Sequence, residues 1–482
     1  MRIYLLSLAI VFLCLYSWKD WYKALCGLVA MMALIERPDI PKSMLGIPGL
    51  NFWNILFATV FLAYLAQKTR EGLKWDMQDN LTRFLLFYLF VVLLAFLREV
   101  FDLGGAIEFE TLLRRDPPTI KGVFIDDVIN TIKYAIPGIL MFMGCRSEHR
   151  LKFAIGAVLL MNFLLALQII RWMPISEVAN AEILKDRAVR VLDREIGYYR
   201  TDLAIILAGA SWAFFAYRAA LTSKLLSYAA LGAMAVTALG MALTGGRIGM
   251  GGWVVVALVL AIFRWRRFLL LAPLLVVMVG VFVPSVIDRM TEGFSGETEE
   301  HRPEGLAGDT TSAGGVDLYA VTAGRAQIWP YVIDKIAEGP FIGYGRRAMQ
   351  RTGLSLWLGY TFEEPFPHPH NAYLQFLLDN GILLSLPVFI FYFLLLKFSL
   401  SLFRDSSNNL YIAVGGGTLS IILAQLVGSV GSQSFYPTES SVSMWCMIGL
   451  MLRVYLQREK LNKAVAVLKK PVKDKNKFLW KV

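Results

Sequence analysis

Four arginines and two histidines in this chain could do chemistry. Arg247 lies in Leu243-Thr244-Gly245-Gly246-Arg247-Ile248-Gly249, a short break between two long apolar runs. A guanidinium between two apolar segments is costly to keep there without an anion or a polar cavity. Its planar fork of donors suits phosphate. Further on, Pro367-His368-Pro369-His370-Asn371 opens another apolar run. An imidazole titrates near neutral pH, so His370 could take a proton from a hydroxyl group. His368, two residues earlier, competes for that role. Nearby arginines would lower the pKa of either ring and keep it neutral, as a base must be. The flanking prolines stiffen the approach, and Asn371 can cap the helix that follows. Position alone is equally consistent with a histidine that merely sits at an interface.

The remaining basic candidates are Arg325, Arg194 and Arg200. Arg325 stands at the start of Arg325-Ala326-Gln327-Ile328-Trp329-Pro330-Tyr331-Val332, where Ile328, Val332 and Ile336 have helical spacing. A cation at that position opposes the helix dipole, which favours an anionic partner. Pro330 fits the first turn, which places Arg325 just before the helix. Gly339-Pro340 then ends it, and Gly343-Tyr344-Gly345 makes a tight turn. Arg194 and Arg200 lie in Asp193-Arg194-Glu195-Ile196-Gly197-Tyr198-Tyr199-Arg200. A local pair with Asp193 or Glu195 is the plain alternative for Arg194, and snorkelling to headgroups is that for Arg200. His149 and His301 sit among charged neighbours and receive no role. No His cluster or spaced carboxylate pair suggests a metal. Glu363-Glu364 reads as a solvated pair. The four cysteines lie in or beside apolar runs without metal-ligand spacing, so they read as packing residues.

These groups must be positioned by membrane helices. The chain has 482 residues, 56% of them hydrophobic and 18% charged. That balance is uncommon in soluble domains. Apolar runs recur at 3–18, 22–35, 51–67, 84–97, 132–145, 153–170, 201–217, 225–243, 248–263, 268–284, 372–398, 409–430 and 441–457. The expected architecture is an all-α integral membrane bundle of about 12–14 spans. It divides into N-terminal spans over 1–284, an external loop over 285–371, C-terminal spans over 372–457 and a basic tail over 458–482. The tail carries nine Lys and Arg against Glu459 and Asp474, within a net charge of +11. Lys and Arg bias places it in the cytoplasm, with Arg264-Trp265-Arg266-Arg267, Arg146 to Lys152 and Lys68 to Lys74 on the same side. Such a tail suits anionic lipid better than nucleic acid, since no nucleic-acid module accompanies it. The segments 98–131, 171–200, 244–247 and 285–371 then lie outside, and every candidate residue falls on that one face. Residues 291–323, rich in Gly, Thr, Ser and acids, read as mobile or ordered by ligand. Gly415-Gly416-Gly417 reads as a close helix contact.

At these residues the chain resembles the O-antigen ligase and polymerase superfamily of bacterial envelope glycan enzymes. The carrying segments are Thr244-Gly245-Gly246-Arg247, Gly324-Arg325 with Trp329, Gly339-Pro340-Phe341-Ile342-Gly343-Tyr344-Gly345, and His370-Asn371 followed by Gly381. Two positions depart from the family pattern. Gly246 stands where Ser is usual, and Leu384 stands at a position that concerns helix packing rather than chemistry. The resemblance implies a GT-C-like helical fold and a transfer that needs no metal or other cofactor. The donor would be a glycan on undecaprenyl pyrophosphate. The acceptor would be a hydroxyl on lipid A-core, another lipid-linked glycan or a protein. His370 would be the base, with Arg247 and Arg325 on the pyrophosphate. Arg194, Arg200, His368 and Asn371 would help to hold substrate. The site would open to the periplasm of a multi-pass inner-membrane protein. A polymerase of lipid-linked repeats needs the same base and phosphate grip. A lipid-linked sugar transporter would instead need charges along a central path, and no internal repeat is visible.

Overall fold

The computed structural model describes residues 2–44, 46–177, 180–271, 324–432 and 435–468, with isolated positions between 287 and 322. Twelve of the thirteen expected apolar segments are helices. The thirteenth, 268–284, lies mostly outside the described residues, as do the acidic stretch 291–323 with His301 and the tail beyond 468. Six helices are both long and apolar enough to cross a membrane: Asp79–Val100, Glu148–Trp172, Arg200–Ala220, Lys224–Leu243, Ala372–Arg404 and Asn409–Gly428. Ile3–Ser17, Trp21–Ile35 and Arg247–Phe263 are apolar but shorter. The chain is an all-α integral membrane protein.

Local chemistry starts many of these helices. The side chains of Asp20, Asn51, Ser147, Asn371 and Asn408 each accept a backbone N–H of the first turn. Each such cap stabilises its helix by about 1 kcal/mol. In lipid, helices associate through close packing rather than through expulsion of water. The helix Arg200–Tyr217 sits at the centre of that packing. It touches Lys224–Leu243, Arg247–Phe263 and Asn409–Gly428. A Cβ at Gly415 would lie 2.4 Å from Phe403 N, and one at Gly416 would lie 2.9 Å from Ala216 Cβ, so this glycine run is a helix contact as expected.

The four basic clusters meet at one end of the bundle. Asp76 accepts both Nη atoms of Arg453, at 2.8 and 2.9 Å. It also pairs with Arg146 at 3.2 Å and Lys460 at 3.1 Å. Arg150 pairs with Glu71 at 2.8 Å, Arg458 with Asp405 at 3.5 Å, and Arg264 donates to Phe403 O at 3.0 Å. Segments far apart in sequence are therefore tied together on the side opposite the candidate residues.

The other end is organised around a broken helix. Ala372–Arg404 contains Gly381 at φ 66° and ψ 177°, outside the helical region. Gly339-Pro340-Phe341-Ile342-Gly343 docks into that break. Ile382 N donates to Pro340 O at 2.8 Å, Leu383 N to Phe341 O at 3.0 Å, and Tyr344 N to Leu378 O at 2.9 Å. Backbone groups freed by the break are thus paired again, as they must be at a membrane boundary. A Cβ on Gly381 would lie 2.3 Å from Phe341 C, and one on Gly343 would lie 2.5 Å from Gly381 N. Only glycine fits both positions. Leu384 packs against the hydrophobic core, in keeping with a packing role.

Candidate active site

Arg247 is the first residue of the helix Arg247–Phe263, and Arg200 is the first of Arg200–Tyr217. The two N-termini are brought together by Gly246 and Gly249. A Cβ at Gly249 would lie 2.4 Å from Ala204 Cβ, and one at Gly246 would lie 2.7 Å from the same atom and 3.7 Å from Arg200 O. That contact explains why Gly rather than Ser precedes Arg247, since Oγ would add bulk where a Cβ already collides. Gly245 adopts φ +62°, which lets the chain turn beside Leu184 before the helix begins.

Arg325 joins them from the segment that precedes the helix Ala372–Arg404. It is the first residue of the helix Arg325–Glu338 rather than the residue before it, so Pro330 falls in the second turn and not the first. Gly324, at φ 76°, redirects the chain into that helix. Ile328 and Val332 are buried, and Ile336 packs beside them, as their spacing predicts. Arg325 Nη1 donates to Gly431 O at 3.0 Å. A Cβ at Gly431 would lie 3.4 Å from Ile248 Cγ1 and 3.6 Å from Arg325 Nη1, which sets the guanidinium beside the start of the Arg247 helix. Burial, then the charges of Arg200 and Arg247, push the Arg325 guanidinium below its usual range. It still stays charged at any working pH. Among the described residues, no carboxylate pairs with Arg200 or Arg325. Arg200 Nη1 is buried without a hydrogen-bond partner. Helix N-termini with spare donors are ready anion sites.

The histidines stand beside this cluster. Trp329 Nε1 donates to Pro369 O at 3.0 Å, so the Arg325 helix holds the Pro367–His370 turn. His370 N donates to His368 Nδ1 at 3.2 Å, and the ring centroids are 3.9 Å apart. His370 adopts φ 49°, the left-handed region that a non-glycine residue enters at a cost. Such strain clusters at functional positions. Burial, the neighbouring His368 and the Arg325 charge push the His370 imidazole down to about 2. Burial and Arg325 push His368 down to about 4. Both rings are therefore neutral near pH 7. Asn371 caps the next helix as expected, with Oδ1 accepting from Tyr373 N at 3.0 Å and Leu374 N at 3.2 Å.

The structure thus brings together Arg200, Arg247, Arg325, His368 and His370. Arg194 stands on the exposed surface of Ala181–Ile196, with Nε donating to Glu195 at 3.1 Å. A second set of residues, not singled out from the sequence, lies next to His368. Arg346 pairs with Asp127 at 2.5 Å, and Arg347 bridges Glu99 and Asp127 at 3.2 Å each. Asp379 accepts from Gln375 Nε2 at 2.8 Å, Tyr436 OH at 3.1 Å and Ala348 N at 3.2 Å. Glu99 and Asp379 are fully buried. A signal for them did exist, because carboxylates within or at the end of apolar runs mark functional or paired positions.

These features define a polytopic helical membrane protein with an arginine and histidine site at one end. Residues 232–389 match the model of the O-antigen ligase family. Over that third of its length the chain is similar to the O-antigen ligase family. The match covers Arg247, Arg325, His368, His370 and Gly381, and leaves Arg194 and Arg200 outside. No curated protein matches the chain.

Proposed function

We propose that the protein transfers a glycan from undecaprenyl pyrophosphate to an acceptor hydroxyl, with inversion, at the periplasmic face of the inner membrane. The observation that carries this reading is the convergence of Arg200, Arg247 and Arg325 beside two neutral histidines. The acceptor oxygen attacks the anomeric carbon opposite the pyrophosphate. A new glycosidic C–O bond forms, the C–O bond to pyrophosphate breaks, and its electron pair leaves with the phosphate. His370 takes the acceptor proton, and His368 holds the His370 backbone through Nδ1. Arg247 and Arg325, with Arg200 beside them, offset the charge that builds on the leaving group, the role a metal ion plays in other transferases. Asn371 keeps the histidine turn seated on its helix.

The test is a transfer assay with purified protein in nanodiscs, an undecaprenyl-pyrophosphate glycan, a panel of acceptors and EDTA. His370→Ala should lose about 10²–10⁴ in rate while still binding donor. Arg247→Ala should lose about 10²–10³, the worth of one charge-stabilising donor in a dry site. Wild-type activity in His370→Ala together with its loss in His368→Ala would move the base to His368. Product length separates a ligase, which hands over a finished chain, from a polymerase, which extends one.

A further inference from the structure

A polar cavity of about 530 Å³ lies against the histidine turn, and nothing in the donor site uses it. His368 forms part of its wall, whereas none of Arg200, Arg247 and Arg325 does. The cavity therefore reaches the histidine turn at His368, and the His370 ring stands behind it, with its centroid 3.9 Å from that of His368. Their electrostatics differ. Glu110, Asp116, Asp126, Asp127 and Asp379 face the cavity against only Arg346 and Arg347. Both guanidiniums are already tied to Asp127. A phosphate entering here would meet a surplus of carboxylates.

The wall also holds polar groups without partners. Gln350 and Gln375 are 6% and 8% exposed. Gln350 Nε2 donates to Glu110 at 3.3 Å, and Gln375 Nε2 donates to Asp379 at 2.8 Å. Carboxylates can only accept, so the amide orientations are set and each spare atom is a carbonyl oxygen. Neither Oε1 has a hydrogen-bond partner, and neither does Arg346 Nη1. Buried polar groups left this way are costly unless something pairs with them. These two acceptors and one donor are closed off as the cavity stands, and a side-chain turn at Gln350, Gln375 or Arg346, beside the ring of Tyr436, would offer them to a group that both donates and accepts. Sugar hydroxyls do both, and the volume is that of a small-molecule site.

We propose that this cavity is the acceptor subsite and that it takes an uncharged, unphosphorylated saccharide, presenting one hydroxyl to the histidine pair. The proposal rests on the transferase reading for the purpose of the site, but not for its occupancy. The probe is a diazirine-tagged trisaccharide of neutral hexoses, compared with its monophosphate, on the full chain in nanodiscs without donor. The neutral probe should label the cavity segments around Asp127, Gln350 and Gln375. Gln350→Ala with Gln375→Ala should weaken labelling about tenfold, the scale of one or two lost hydrogen bonds. Asp116→Asn with Asp126→Asn, a pair of isosteric changes at exposed positions, should raise labelling by the monophosphate. Absence of cavity labelling, or stronger labelling by the monophosphate in the wild type, overturns the proposal. Transfer activity in a protein that fails this test would leave the transferase reading standing and move the acceptor elsewhere. Saccharide labelling in a protein that transfers nothing would do the reverse.

Discussion

Two groups of arginines stand at the same end of this protein, and their partners differ. Arg346, Arg347 and Arg351 are held by carboxylates: Asp127, Glu99 and Asp102, at 2.5 to 3.2 Å. Arg351 also donates to the backbone oxygens of Asp102 and Tyr344, both at 2.6 Å. Arg325 donates to a backbone oxygen, and neither it nor Arg200 pairs with a described carboxylate. In the first group, positive charge is neutralised by the fold and staples residues 346–351 to residues 98–131. In the second, positive charges are pressed together and oppose one another. Burial of like charges is unfavourable in the absence of an anion, which supports the proposed reading of the second group as a binding site and of the first as a scaffold.

The largest effect that separates the groups is on stability. Arg347→Met should cost about 3–5 kcal/mol, because it strips fully buried Glu99 of its cation. Thermal unfolding in nanodiscs would show this, and the affinity of the remaining folded protein for undecaprenyl pyrophosphate should hold. Loss of donor affinity with unchanged stability would erase the distinction. The next effect is on pH dependence. The histidines sit below their usual range through burial first, and after it through the Arg325 charge, which for His370 follows that of His368. Wild-type kcat/KM should therefore show no acid limb near pH 6.5. Removing the Arg325 charge raises the histidine pKa, so Arg325→Gln should move any acid limb upward, while burial still holds it below the ordinary histidine value. A wild-type limb near 6.5 would contradict the neutral-base account. The smallest effect belongs to Arg194. Its side chain is 73% exposed and paired with Glu195. Arg194→Ala should change stability and kcat/KM by no more than about 1 kcal/mol equivalent.

The same contrast shows what was legible in the sequence. Helices follow from hydropathy and capping, which are local, and twelve of thirteen apolar segments fold as helices. The basic breaks at Arg247 and Arg325 and the turn ending at His370 stand out because charge and proline interrupt apolar runs. Their assembly depends on glycine contacts that can be recognised only once the partner helix is known, as with Gly246 against Ala204. The neutralised group was hidden for another reason. Arg347 and Asp127 are 220 residues apart, and Arg351 and Asp102 are 249 apart. No local pattern joins such pairs. The Arg325 helix starts one position earlier than Pro330 alone suggests, because the left-handed Gly324 turns the chain directly before Arg325.

The central claim is that the cluster of Arg200, Arg247 and Arg325 grips the donor pyrophosphate. Equilibrium binding of undecaprenyl pyrophosphate to wild type, Arg325→Gln and Arg351→Gln tests it most directly. The account predicts a loss of about tenfold or more in Arg325→Gln, on the scale of a lost charge-assisted hydrogen bond, and near wild-type affinity in folded Arg351→Gln. Equal affinity in wild type and Arg325→Gln, or a loss confined to Arg351→Gln, would contradict it.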